Sequence, residues 1–155
     1  FGGTAWHASI VESLFAGGML VSGMILGVWG GFQDKFLMIN LSLLVMGVVI
    51  AVSGALPATG FWAFAILSAF MGLSGTFFNV PYIAFIQEVV PPASLGRVLT
   101  ILTSLMSLST PLGLMVAGPL AESIGVARWF LISGLAIVVI AVFGYYLTNQ
   151  VKEQA

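Results

Sequence analysis

Apolar residues in this chain fall in long unbroken runs, not in the alternation with polar positions that marks a surface helix or a half-buried strand. Stretches without a single charge cover 13–33, 36–87, 98–121 and 129–151. Each is long enough to cross hydrocarbon, for which about 20 apolar residues are needed. The second is about twice that length and is broken by Pro57-Ala58-Thr59-Gly60, so it counts as two spans. Barrel strands would run for roughly ten residues with polar side chains alternating toward a lumen, and that pattern is absent. The reading is all-α: a polytopic transmembrane bundle with about five spans, at 9–30, 37–57, 61–87, 98–119 and 128–148.

Composition removes the soluble alternative. Hydrophobic residues make up 60% of the 155 and charged residues 6%, against roughly 25% charged in a soluble domain. There is no cysteine, hence no disulfide and no thiol-bound metal. A net charge of −1 and the lack of any basic run argue against nucleic-acid binding. The expected surroundings are the lipid bilayer. The opening Phe1-Gly2-Gly3-Thr4 has neither an initiator Met nor a basic leader, and suggests a truncated chain.

Loop charges set an expected orientation. Gln33-Asp34-Lys35, the 88–97 segment and the tail with Lys152 alternate with the His7 end, the 57–60 turn and the 122–128 segment. Lys plus Arg divide three to one in favour of the first group. The positive-inside rule therefore places the C-terminus in the cytoplasm and the N-terminus outside. An exported N-terminus without a signal is natural if one more helix precedes Phe1. A five-span protein with a short translocated N-terminus is the alternative. Gly23, Gly27 and Gly31 form a Gly-x-x-x-Gly ladder for close helix approach, either in general packing or at a dimer face. Pro81 and Pro111 each remove a backbone donor, and a kink is expected at both.

Candidate chemistry is sparse. His7 has no second His, Cys or clustered carboxylate with which to hold a metal, and reads as a solvated polar residue. No catalytic cluster and no cofactor site are present in the pattern, so an enzyme is not expected. Glu12 lies in the first turns of the first span. An acid there is a functional candidate by default, here for a proton-linked role, though solvation at the interface accounts for it equally. The third span is the most polar, with Ser74, Thr76, Asn79 and Pro81 close together and Gln87-Glu88 at its end. An interhelix hydrogen bond and a water-filled path would both satisfy Asn79.

Three segments in order carry a family resemblance. Gly30-Gly31-Phe32-Gln33-Asp34-Lys35 is similar to the Gly-x-x-x-Asp-Arg/Lys loop of major facilitator superfamily transporters, without its later Gly and paired basic residues. Asn79-Val80-Pro81-Tyr82 through Gln87-Glu88-Val89-Val90-Pro91-Pro92 and Leu95-Gly96-Arg97-Val98 resembles the approach to the eleventh helix in the macrolide-efflux branch of drug:proton antiporters. Pro111-Leu112-Gly113, Ala117-Gly118-Pro119-Leu120-Ala121-Glu122 and Gly125-Val126 resembles that helix and the loop after it, with Glu122 where Asp is commoner. The opening Gly2-Gly3-Thr4-Ala5-Trp6-His7, ahead of Glu12, fits the entry to the eighth helix.

The resemblance implies that 1–155 is the C-terminal half of a twelve-helix carrier without its first helix, so the chain's partner would be the absent N-terminal half. It implies a cavity-lining role for the third span, with Ser74, Thr76, Asn79 and Pro81 as substrate candidates. Gly30, Gly31, Asp34, Lys35, Gln87, Glu88, Gly96 and Arg97 become candidates for a cytoplasmic conformational gate, and pseudo-symmetry places a partner for Asp34 in the absent half. The implied activity is proton-coupled export of lipophilic small molecules such as macrolides, by alternating access in the cell membrane. Export of a siderophore or another metabolite is an alternative on the same fold. A non-transporting membrane scaffold is a third, disfavoured because a passive bundle needs neither the Asp-Lys loop nor the Gly-Arg-Val segment.

Overall fold

The computed structural model describes residues 4–31 and 34–153. Gly2 and Gly3 of the opening motif and Phe32 and Gln33 of the loop motif lie outside the described residues, as does the side chain of Lys152. Five helices follow one another: α1 (Ala5–Trp29), α2 (Lys35–Gly54), α3 (Phe61–Val89), α4 (Pro92–Ile124) and α5 (Val126–Glu153). All five are long and apolar enough to cross a membrane.

The connections are shorter than the hydropathy pattern predicts. The expected 88–97 loop shrinks to Val90-Pro91, and Gly96 and Arg97 ride in the opening turns of α4. Pro92 occupies the first helical position of α4, where its missing N–H costs nothing and its fixed φ suits the helix. The 122–128 loop reduces to Gly125, whose φ of 90° is open to glycine and strained for other residues. Hydropathy locates the apolar centre of a span, whereas the helix continues into its polar flanks. Pro81, Pro111 and Pro119 all lie inside continuous helices.

Packing runs in the order α1, α3, α2, α5, with α4 in slight contact with α5. The tight crossings are made by glycines. A Cβ at Gly18 would collide with the carbonyl of Ala69, and one at Gly72 with the carbonyl of Phe15, so α1 and α3 touch backbone to backbone. Between the antiparallel α2 and α5, a Cβ at Gly47 would lie 2.8 Å from Val138 N and one at Gly54 2.5 Å from Ala127 O. Gly134 on α5 faces Gly47 and Ala51 in the same way. The Gly23–Gly27–Gly31 ladder is not an interface in these five helices. Gly23 and Gly27 face open space, and Gly31 lies beyond the α1 C-cap at φ 78°.

Candidate functional site

Three groups of residues carry the polar chemistry of the bundle. The first is at the end where α1 hands over to α2. Gly30 ends α1 in the left-handed conformation, φ 76°, with its N–H on the Leu26 carbonyl. Gly31 follows at φ 78°, packed on Met38. Asp34 caps α2: its Oδ1 accepts the Leu37 N–H at 3.2 Å, satisfying one of the donors left open at a helix start. Lys35 then reaches α3 and pairs with Glu88 at 2.5 Å, while Phe36 meets Phe85 edge-on at 4.9 Å. These contacts pin the start of α2 to the finish of α3. Gln87 is exposed beside them. Gly96 and Arg97 project from α4 with open surroundings, and among the described residues no acid pairs with Arg97.

The second group is the polar midsection of α3, and the structure does not bring its members together. Ser74 is buried, 2% exposed, in a small cavity against Met38, Leu41 and Ser42 of α2. Pro81 is buried too. Thr76 is half-buried and leans on the Gly72 carbonyl at 3.4 Å. Asn79 is exposed on the opposite side, in line with Gly75, beside which nothing lies within 4 Å. The spacing decides this: 74 and 79 are five residues apart, about 140° around a helix of 3.6 residues per turn. Ser74 and Asn79 therefore serve different faces, one toward α2 and one toward whatever lies beyond α3.

The third group, a cavity of about 550 Å³ at the His7 end, was not legible as a unit in the sequence. Its walls come from α1, α3 and α5 and include Glu12, Phe15, Phe61, Phe64, Met71 and Phe130. Two local devices fix its rim. The Thr4 N–H donates to His7 Nδ1 at 3.2 Å, closing the first turn of α1, and the His7 ring meets Phe61 edge-on at 4.6 Å. Deeper in, Ser68 Oγ donates to the Ala65 carbonyl at 2.6 Å and to Val11 O at 3.1 Å, joining α3 to α1. Phenylalanines at 15, 61, 64 and 130 carried no sequence signal beyond hydrophobicity. Only the parallel pairing of α1 with α3, and the return of α5, makes them a wall.

The chain is 44% identical over 142 residues to macrolide efflux protein A of Streptococcus pyogenes, which covers 92% of this chain and 35% of that protein. It is 45% identical over 114 residues, 74% of this chain, to the protein of the same name from Enterococcus faecalis, again across 35% of its length. The chain thus spans about a third of the length of the curated relatives it matches. No solved structure matches it. The profile of the Major Facilitator Superfamily matches residues 1–155, from end to end, in accord with the five apolar helices and the Gly30-to-Lys35 loop. The chain belongs to the Major Facilitator Superfamily.

Proposed function

We propose that the complete protein containing this chain is a secondary exporter of lipophilic drugs such as macrolides, coupled to protons and working by alternating access. The observation that carries this reading is the likeness to two proteins named for macrolide efflux, which extends over most of the chain. In the proposal the five helices are the eighth to twelfth of the twelve-helix fold, and the C-terminus is cytoplasmic.

The packing supports that placement. Each half of such a carrier is built from two inverted three-helix repeats. If one helix preceded α1, the repeat would map α1 onto α4, α2 onto α5, and the preceding helix onto α3. The α2–α5 contact then maps onto itself. The α1–α3 contact maps onto a contact between α4 and the preceding helix, and the α2–α3 contact onto one between α5 and that helix. On this mapping α4 is the element that loses its main partner, and no residue of α4 is buried.

In this reading the exposed side of α3 with Thr76 and Asn79 meets substrate, while Ser74 and Pro81 hold α3 in place. Gly30, Gly31, Asp34, Lys35, Gln87 and Glu88, with Gly96 and Arg97 opposite, form the cytoplasmic latch that opens and closes as the halves rock. The test is drug accumulation in cells expressing the complete protein. Expression lowers macrolide accumulation, and a proton uncoupler restores it. Unchanged accumulation on expression would sink the drug reading, and export that persists with the uncoupler would sink proton coupling alone.

A further inference from the structure

We propose that the seam between α2 and α5 holds one molecule of a neutral glycolipid, its sugar at the Asp34 end and an acyl chain laid toward the membrane centre. Two depressions adjoin on this seam and share Leu37, Asn40 and Tyr145. One, of about 220 Å³, is otherwise walled by Leu41, Leu44, Ala141 and Val142. The other, of about 180 Å³, adds Asp34, Thr148 and Asn149. A polar chamber thus opens onto an apolar trough. Asn40 stands between the two, with its amide spent on backbone. Its Nδ2 donates to the Phe36 carbonyl at 2.9 Å, and its Oδ1 lies 2.7 Å from where a Cβ of Gly144 would be.

Depth and surroundings fit a lipid. Leu44 lies ten residues on from Asp34, about 15 Å along α2, which is half of a hydrocarbon core of roughly 30 Å. Chamber and trough together therefore run the depth of one leaflet. Tyr145 lies where they meet, and tyrosine rings favour the membrane–water boundary. The α2 side of the trough belongs to an exposed stripe, Leu37, Leu41, Leu44, Val48 and Val52. The small residues of α2 are turned elsewhere, Gly47 and Gly54 onto α5 and Ser42 toward α3. Helix contacts in a membrane favour small residues, so a stripe of Leu and Val suits acyl chains better than another helix.

The headgroup follows from the donors and acceptors of the chamber. Among its described wall residues Asp34 carries the only charge. That carboxylate caps α2, where the helix dipole offsets it, so little charge is left for an ammonium to neutralise. A phosphodiester would set an anion beside Asp34. The Thr148 hydroxyl donates to the Gly144 carbonyl at 2.8 Å, so it meets a ligand as an acceptor. Asp34 accepts as well, whereas Asn149 and the Tyr145 hydroxyl both donate and accept. The hydroxyls of a sugar supply the donors in which this wall is poor, and their oxygens take the Asn149 amide protons. Lipid binding needs neither a gradient nor a substrate, so the site does not depend on the exporter reading.

Native mass spectrometry of the complete protein tests it, with release from micelles of a detergent that has no sugar headgroup. The micelles hold equal amounts of monoglucosyl diacylglycerol, phosphatidylethanolamine, phosphatidylglycerol and plain diacylglycerol with matched chains. The glucolipid is retained about five- to ten-fold over each of the others, the ratio that one or two net hydrogen bonds give. Asn149→Leu removes that preference. Val142→Trp, which fills the trough from a position 53% exposed, lowers retention of all four lipids while its unfolding midpoint in lipid-free detergent stays near wild type. A wild-type protein that retains either phospholipid better than the glucolipid, or all four lipids alike, would overturn the proposal. So would a glucolipid preference that survives Asn149→Leu, or retention untouched by Val142→Trp.

Discussion

At Gly72 the Phe15 carbonyl occupies the space a side chain would need, and at Gly18 the Ala69 carbonyl does the same. The two helices meet there through backbone, the arrangement that small residues permit in a membrane, where lipid supplies no hydrophobic drive between helices. Gly72→Ala should therefore force α1 and α3 apart, at a cost of about 1–3 kcal/mol by the usual penalty for overpacking. Gly27→Ala, with nothing within 4 Å, should cost the five-helix bundle nothing and gain up to about 1 kcal/mol of helix propensity. Thermal unfolding of the two variants in detergent checks the pair: a lower midpoint for Gly72→Ala, and an unchanged or higher one for Gly27→Ala. A Gly-x-x-x-Gly spacing such as Gly23–Gly27 is visible in a sequence, but it does not say on which side a partner lies. Gly18 and Gly72 belong to no such repeat with each other, because what pairs them is the parallel run of α1 beside α3. The Asp34 contact is of the opposite kind: it caps α2 through the Leu37 N–H three residues on. Such local geometry can be recorded in a sequence motif, although the sequence placed Asp34 only in a gate.

Helices as elements were legible in number but not in their ends. Apolar runs fix the count, because a membrane demands about 20 apolar residues per crossing whatever the loops contain. The ends depend on capping and turn chemistry, and Pro92 and Gly125 turn two expected loops into a two-residue link and a single residue. The consequence is functional. With so short a link, α4 follows directly from the end of α3 that Lys35 holds through Glu88. A shift in this pair can therefore move α4 relative to α2. Lys35 is 27% exposed and Glu88 66%, so the pair contributes little to stability, at most about 1 kcal/mol. In the proposed latch its part is positioning. Lys35→Glu should lower export by the complete carrier while barely changing the unfolding midpoint. The charge swap Lys35→Glu with Glu88→Lys should restore export, read as macrolide accumulation. A double variant as impaired as the single one would show that the pair does not act as a latch.

At the scale of the molecule the uneven element is α4. Its 33 residues span about 50 Å at 1.5 Å each, it has no buried residue, and Leu114 and Met115 are 67% and 73% exposed. Lipid can solvate such a helix, but Gly113 and Gly118 leave bare backbone along it with nothing within 4 Å. Small residues that let a backbone approach are common at helix–helix contacts. The repeat symmetry supplies a candidate neighbour, the helix that would precede α1 and pair with α4 as α3 pairs with α1. The absence of cysteine from the 155 residues gives a clean way to ask. A single cysteine at Gly113 should react readily with a membrane-permeant maleimide in the five-helix chain in detergent. In the complete protein it should be protected at least several-fold, because covering a thiol with a packed helix removes the access on which its reactivity depends. A cysteine at Val139, on α5 and 66% exposed, serves as the control. Labelling at that position should be alike in both forms. Equal labelling at 113 in both forms would mean that α4 faces lipid in the carrier as well, and that its bare glycines answer to something other than a helix preceding α1.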